Sequence, residues 1–422
     1  MLSQSEQMQQ LLRKRHSRKL LGVAIGALLG VLAVFVLAPA DTAQSQRAGI
    51  ENAAALNGFF RSLDALKAGR KLEPVRIVHY GDSHTAADIL TAEIRHRFQH
   101  DFGDGGPGYI VARNPFSTPR RGVTSGATPG WNVDGIGKNN AGNDGFYGLA
   151  GISLTTDKPD ERIWLQTVCN HFEVYFLRWP GGGTIDITVD GASVLDRPMS
   201  LNSDVPEPDY YSYDTPADRD HRLEIRTVTP GKARILGIVA EHISPGPGIS
   251  YDVLGINGAR AVRLLSWNRT VFVDNIVERK PDLIIVAYGT NEVTDSDWSV
   301  ESYARMFSGI LKNFRRAAPD ASIIVFGPPD RADVPLAGSK MPQMIEAQRR
   351  AAKEAGAAYW CSYDAMGGSG SMNTWASEGL AQGDHVHLSG PGYLKLGDMF
   401  YEDLLRAYNE SKARTPSRKP RD

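Results

Sequence analysis

The chain has no surplus of positive charge: 47 basic residues stand against 48 acidic ones, a net charge of −1 over 422 residues. Without that surplus, counterion release from phosphates cannot drive association, so nucleic acid is not an expected partner. Cysteine is nearly absent. Cys169 and Cys361 are far apart and lack metal-ligand spacing. They are either one disulfide in an oxidising compartment or two separate buried thiols, and the sequence does not show that they meet. No repeat at solenoid spacing occurs. One apolar run alone is long enough to consider a membrane.

That run is at the amino terminus. Arg13, Lys14, Arg15, Arg18 and Lys19 precede the uncharged stretch Leu20–Ala38, 19 residues, which as a helix spans about 28 Å, close to the hydrocarbon thickness of a bilayer. Secretory signals usually carry a shorter apolar region, although Ala38-Pro39-Ala40 has the small-residue pattern of a cleavage site. The expectation is a single-pass inner-membrane anchor over residues 20–38. The basic segment 1–19 then stays cytoplasmic by the positive-inside rule, and the chain beyond Asp41 is periplasmic. Cleavage would make the same chain a secreted one.

The rest reads as globular, long enough for two folded units. Within residues 39–72, Ile50, Leu56, Phe59, Phe60, Leu63 and Leu66 recur at helical spacing and predict an amphipathic helix after a linker. Residues 73–115 open an α/β domain: a strand over Val75–Tyr80, the tight loop Gly81-Asp82-Ser83-His84, and a helix from about Ala86 to Phe102. Over residues 116–246 helical periodicity vanishes. Short alternating segments (Ile163–Val168, Phe172–Trp179, Thr184–Val189, His221–Val228, Ala233–Glu241) predict an inserted all-β sandwich, with Pro180–Gly183 as a hairpin loop. Residues 247–410 resume the α/β texture. There Pro281–Tyr288 has the continuous apolar character of a buried parallel strand. Helices follow over Val300–Ala318 and Met341–Ala355, strands over Ser322–Phe326 and Ala357–Tyr363. A last helix is capped by Ser389 and carries Pro391 in its first turn. Residues 411–422 form a basic tail.

Acyl transfer needs an activated nucleophile, a base and donors for an oxyanion. Ser83 follows a strand and precedes a helix, which places it at the carboxyl edge of the sheet, where open α/β folds bind ligands. Asn291, in Gly289-Thr290-Asn291-Glu292, follows the buried strand in the same way. Asp384 precedes His387 by three residues, a spacing that lets a carboxylate hold an imidazole in the proton-accepting tautomer. Taken singly, each block is also an ordinary turn or helix cap. Two histidines in four residues could suggest a metal, but no third ligand stands at characteristic spacing, so no metal or other cofactor is expected.

Together the blocks Gly81-Asp82-Ser83, Gly255-Ile256-Asn257-Gly258, Gly289-Thr290-Asn291 and Asp384-His385-Val386-His387 resemble the SGNH, or GDSL, hydrolase superfamily in content and order. The resemblance implies a three-layer α/β/α fold with Ser83 as nucleophile, His387 as base and Asp384 as its orienter. It also implies Ser83, Gly258 and Asn291 as oxyanion donors, with Gly255 the alternative to Gly258. His84 stands where many members have leucine or isoleucine, and reads as a packing or rim residue. His385 reads as a solvated neighbour, and His96 and His100 as a solvated helix face. Gly81-Asp82-Ser83-His84-Thr85 followed by Gly103-Asp104-Gly105-Gly106-Pro107-Gly108-Tyr109 is similar to exported peptidoglycan O-acetylesterases, whose SGNH domain is interrupted by a β-sandwich like carbohydrate-binding modules. That implies hydrolysis of an acetyl ester on a cell-envelope glycan, the O-acetylated glycan being the expected partner. Trp131, in a Gly/Asn-rich loop, is the candidate for stacking on a sugar; Trp164 and Trp179, inside strands, are assigned to the sandwich core. The same triad would serve an O-acetyltransferase, a lipase or a thioesterase. A glycan-binding protein with an inactive hydrolase fold is the non-enzymatic alternative.

Overall fold

The computed structural model describes residues 49–113, 120–135, 144–243 and 246–414. The anchor expected at 20–38 and the tail beyond Arg414 lie outside them. Among the described residues no helix is long and apolar enough to cross a membrane.

Five parallel strands form the first sheet: β1 (Val75–Gly81), β2 (Ile249–Gly255), β3 (Leu283–Ala287), β4 (Ser322–Gly327) and β5 (Ala358–Cys361), in the order β2-β1-β3-β4-β5. β1 is paired on both sides, with Gly81 beside Gly255 of β2 and Ala287 of β3. Among the described residues, six main helices accompany the sheet: α1 (Asn57–Lys67), α2 (Leu90–Phe102), α3 (Arg269–Arg279), α4 (Val300–Ala317), α5 (Pro335–Glu354) and α6 (Gly390–Arg414). Because side chains alternate across a strand, each strand feeds two cores. Val78, Tyr80, Ile284, Val286, Ile323 and Val325 pack with residues of α3, α4 and α5. Ile77, Leu283, Ile285, Ile324 and Phe326 pack with α1, α2 and α6. The architecture is the expected α/β/α.

β2 is the element the sequence concealed. It reads Ile-Ser-Tyr-Asp-Val-Leu-Gly, and both Ser250 and Asp252 are fully buried. α3 hides beside it. Its last residue, Arg279, places Nε 2.7 Å from Asp252 and Nη1 2.7 Å from Glu241, and Nη2 donates to Ser250 Oγ at 2.8 Å. Arg76 of β1 reaches the same Glu241 at 2.9 Å, and the backbone N–H of Tyr109 donates to Asp252 at 2.7 Å.

The strands of the inserted segment pair antiparallel, as expected, but that pairing begins at Gly108, ahead of the boundary expected at 116. Among the described residues, hydrogen bonds join ten strands into one network rather than two separate sheets. Two strands are long, Arg162–Arg178 and Glu207–Thr229, and they change partners along their length. Arg162–Arg178 pairs with Thr124–Ala127 near its start and with Ala233–Glu241 further on. The Pro180–Gly183 loop is not a hairpin. Strand Glu207–Thr229 lies between its two flanking strands, and Gly183 instead bonds Lys232 and Leu201. One face of the network encloses Ile163, Leu165, Phe172, Val174, Phe176, Ile185, Ile187 and Ile225. The other contributes Tyr109, Tyr175, Leu177, Leu236 and Val239 to the α/β core, so the insert shares a hydrophobic core with its host. Cys169 and Cys361 are both free and buried, one in each unit's core.

Arg279→Leu should lower stability by about 3–5 kcal/mol, because Glu241 and Asp252 would remain as buried charges without their partner. Thermal unfolding of the variant tests this, and an unchanged Tm would refute it. A second prediction concerns Glu173 on strand Arg162–Arg178. Burial raises its pKa well above the usual glutamate range, and a hydrogen bond with Glu278 of α3 adds to the rise against the opposing charge of Arg279. A raised acid pKa stabilises the fold fully below the unfolded pKa of about 4.3 and loses that stabilisation as pH climbs through the folded value. Tm should therefore fall between about pH 5 and 8, and Glu173→Gln should shallow the slope.

Candidate active site

β1 ends at Gly81, where any side chain would run into Thr85 and the Ala287 carbonyl. The chain turns there at once. Asp82, buried, accepts the His84 N–H at 3.0 Å and so caps the one-turn helix Ser83–Ala86. This lifts Ser83 onto the carboxyl rim between the loops that follow β2 and β3. Burial pushes the Asp82 pKa up to about 6, although the His84 N–H and the Thr290 side chain oppose it.

The Ser83 Oγ is 2.9 Å from His387 Nε2, and His387 Nδ1 is 2.7 Å from Asp384 Oδ2. The second oxygen of Asp384 accepts from the N–H groups of Val386 and His387, both at 3.0 Å. Burial alone would raise the Asp384 pKa, but these hydrogen bonds hold it at about 2, so the group is a carboxylate at neutral pH. With Nδ1–H donated to that carboxylate, Nε2 is left to accept the serine proton. Asp384 is 46% exposed and His387 34%, so the row of groups lies open to a large substrate.

The two loops beside Ser83 are stitched together. Asn291 Nδ2 donates to the Ala259 carbonyl at 3.0 Å, which leaves its second amide hydrogen for another acceptor. Arg260 pairs with Asp295 through two hydrogen bonds, at 2.9 and 2.7 Å. The two candidate glycines differ. A side chain at Gly255 would strike the backbone of Ala86, so that glycine serves close packing. Gly258 is exposed at φ +73° with open space around it.

Other sequence expectations fare unevenly. His84 is buried, bonded to the Tyr393 hydroxyl at 2.9 Å, and its ring centre is 5.3 Å from that of His387. It is a packing residue. His385 is not a solvated neighbour: it is half-buried at φ +54°, and its carbonyl accepts the Ala332 N–H at 3.0 Å. His96 and His100 are exposed. Trp131 does not present a face to a sugar. It is 2% exposed and packs in the insert's core, because its Gly-rich loop folds over that core instead of projecting from it. Trp164 and Trp179, assigned to the core, are the half-exposed pair. Among the described residues no group of three or more His, Cys, Asp or Glu gathers as a metal site.

With this geometry in place, residues 227–395 match the model of the GDSL-like Lipase/Acylhydrolase family. That segment is therefore similar to GDSL-like acylhydrolases. The match takes in the glycine, Asn291 and His387 loops and omits Ser83, which the insert separates from them. The chain is similar to a solved structure described as "Peptidoglycan O-acetylesterase in action, 5 min", with 24% identity and a TM-score of 0.72, over 85% of this chain and 99% of that one. A family two carbohydrate esterase from Cellvibrio japonicus aligns at 12% identity over 68% of this chain and 98% of that one, with a TM-score of 0.30, too low to carry an argument. No curated protein sequence matches the chain.

Two supports of the site carry no motif in the sequence. Glu292, 5% exposed, accepts the Ala261 N–H at 2.7 Å and the Gly289 N–H at 3.2 Å, clamping the glycine loop to the asparagine loop. Burial and the nearby Asp82 charge raise its pKa to about 7. Arg331, in the loop after β4, donates to the Thr290 carbonyl at 2.7 Å, while its neighbour Ala332 holds the His385 carbonyl. The signal for both was position: each lies a few residues past a buried strand, on the rim that carries Ser83. Asp384→Asn should keep the fold but reduce kcat by about three to four orders of magnitude, because the imidazole would lose its oriented tautomer. Turnover of a small chromogenic ester by the variant checks this, and a near-normal kcat would rule out the orienting role.

Proposed function

We propose that the protein is a serine esterase that removes O-acetyl groups from a cell-envelope glycan, with peptidoglycan as the substrate, through an acetyl-serine intermediate. The observation that carries this reading is the unbroken series of hydrogen bonds from Ser83 through His387 to Asp384. Ser83 Oγ attacks the ester carbonyl while His387 Nε2 takes its proton. The carbonyl oxygen becomes an oxyanion facing the Ser83 N–H, the Gly258 N–H and the free amide hydrogen of Asn291. Collapse expels the sugar alkoxide, which His387 protonates. Water then attacks the acetyl-serine carbonyl and gives a proton to the same nitrogen; collapse breaks the bond between the acyl carbon and Ser83 Oγ, which takes that proton back as acetate leaves.

The substrate rests on different support. The motif Gly81-Asp82-Ser83-His84-Thr85 resembles that of peptidoglycan O-acetylesterases, and a structure so described shares this fold along nearly its whole length. The basic cluster and apolar run at residues 13–38 agree with a wall-facing location. Ser83→Ala should reduce acetate release by several orders of magnitude, since the nucleophile and base act as one unit. Assaying O-acetylated peptidoglycan beside a small chromogenic acetate tests both halves of the reading. Acetylated acceptor sugar in place of free acetate would mean transfer, and retained activity in Ser83→Ala would overturn the proposal.

A further inference from the structure

A cavity of about 570 Å³ lies where the β-insert meets the rim of the parallel sheet, within the size range of small-molecule sites. Its floor is Val253, Leu254 and Gly255, the end of β2, together with Ala86, the last residue of the helix that Ser83 opens. Gly255 pairs with Gly81 on the adjacent strand, and such neighbours are about 5 Å apart. The cavity and Ser83 therefore share one rim.

The opposite wall belongs to the insert: the strand Thr124–Ala127, Trp164 and Arg113. Trp164 lies over its strand partner Gly126, where any side chain would collide with the indole, and the Arg222 guanidinium is 5.2 Å from the ring centre. The indole is thus held rigidly while remaining half-exposed. Thr124 and Ser125 supply hydroxyls beside it. Charge is uneven. Arg120 is neutralised by Asp88, which it meets at 3.0 Å, whereas Arg113, exposed, donates only to the neutral Trp131 carbonyl at 3.1 Å among the described residues.

We infer that this cavity is a substrate subsite. It holds the sugar unit next to the acetylated one against Trp164 and takes a carboxylate of the peptide attached to the glycan on Arg113, which makes an acidic glycan the favoured substrate. The inference rests on the esterase reading above and adds to it a substrate charge and a direction for the glycan, from Ser83 toward the insert.

Two variants test it: Arg113→Ala removes the charge, and Thr124→Trp fills the cavity from its exposed edge. For each, kcat/KM on O-acetylated peptidoglycan is divided by kcat/KM on a small chromogenic acetate, so that any general loss of folded enzyme cancels. Both variants should lower this ratio about tenfold or more, a shift of about 1.4 kcal/mol. Added salt should depress the wild-type ratio and leave that of Arg113→Ala nearly flat. Unchanged ratios in both variants would overturn the subsite. An equal loss for Arg113→Ala on a carboxylate-free acetylated mannan would overturn the acidic preference. Should the wild type cleave no acetate ester at all, the esterase reading fails on its own. Calorimetric titration of the protein with de-O-acetylated muropeptide then still decides the subsite: binding that Arg113→Ala weakens upholds it, and absence of binding sinks it.

Discussion

The buried guanidinium of Arg279 is the point on which the two parts of the molecule turn. It joins the last strand of the insert through Glu241 to β2 through Asp252 and Ser250, and Arg76 brings β1 to the same carboxylate. Charges with so little access to water are tolerable only when each finds its partners. The cluster is therefore a specification of geometry more than a source of net stability. It fixes the edge strand β2, and the glycine loop that follows β2 can then be placed with respect to Ser83.

Placement matters because the donors and the base come from loops far apart in sequence. Electrostatic stabilisation of an oxyanion works through groups already aimed before the charge develops. Here aiming is done by hydrogen bonds among the loops themselves. Glu292 ties Gly289 to Ala261, Asn291 ties itself to Ala259, and the loop after β4 holds both Thr290 and His385. Glu292 and Asp82 are both buried with raised pKa values, so the rim keeps two carboxyl groups out of water close beneath the reacting atoms.

What the sequence disclosed follows from where its signals are local. Ser83, Asn291 and His387 were legible because each stands just past a recognisable strand or just before a helix, and the Asp384–His387 spacing is complete within one turn. β2 was not, since Ser250 and Asp252 look like surface residues until Arg279, distant in sequence, satisfies them. Strand Arg162–Arg178 was split in two at Asn170, a polar residue that is in fact buried and accepts the Ile243 N–H at 2.8 Å. The tryptophans were exchanged for the same reason. Glycine around Trp131 suggested a projecting loop, but a flexible loop can also fold an indole inward. A strand offers Trp164 two faces, and alternation alone does not say which one is covered.

The position of the insert explains how a large all-β segment can interrupt an α/β domain without disturbing it. It enters between α2 and β2, and β2 is an edge strand, so the excursion crosses no other connection of the sheet. Its two ends are neighbours: Gly108–Ile110 pairs with Ile238–Ala240, Gly105 donates to the Ile249 carbonyl at 3.0 Å, and Ile249 donates to Gly103 at 2.8 Å. A folded segment whose ends already lie at strand spacing demands little further loop closure from its host, since that entropy grows only slowly with length. The edge strand that admits the insert is also the one whose carboxyl end lies beside Ser83. An insertion at this place therefore brings a new surface to the reacting rim, and Tyr109, Tyr175 and Leu177, buried in the host's core, keep that surface fixed to it.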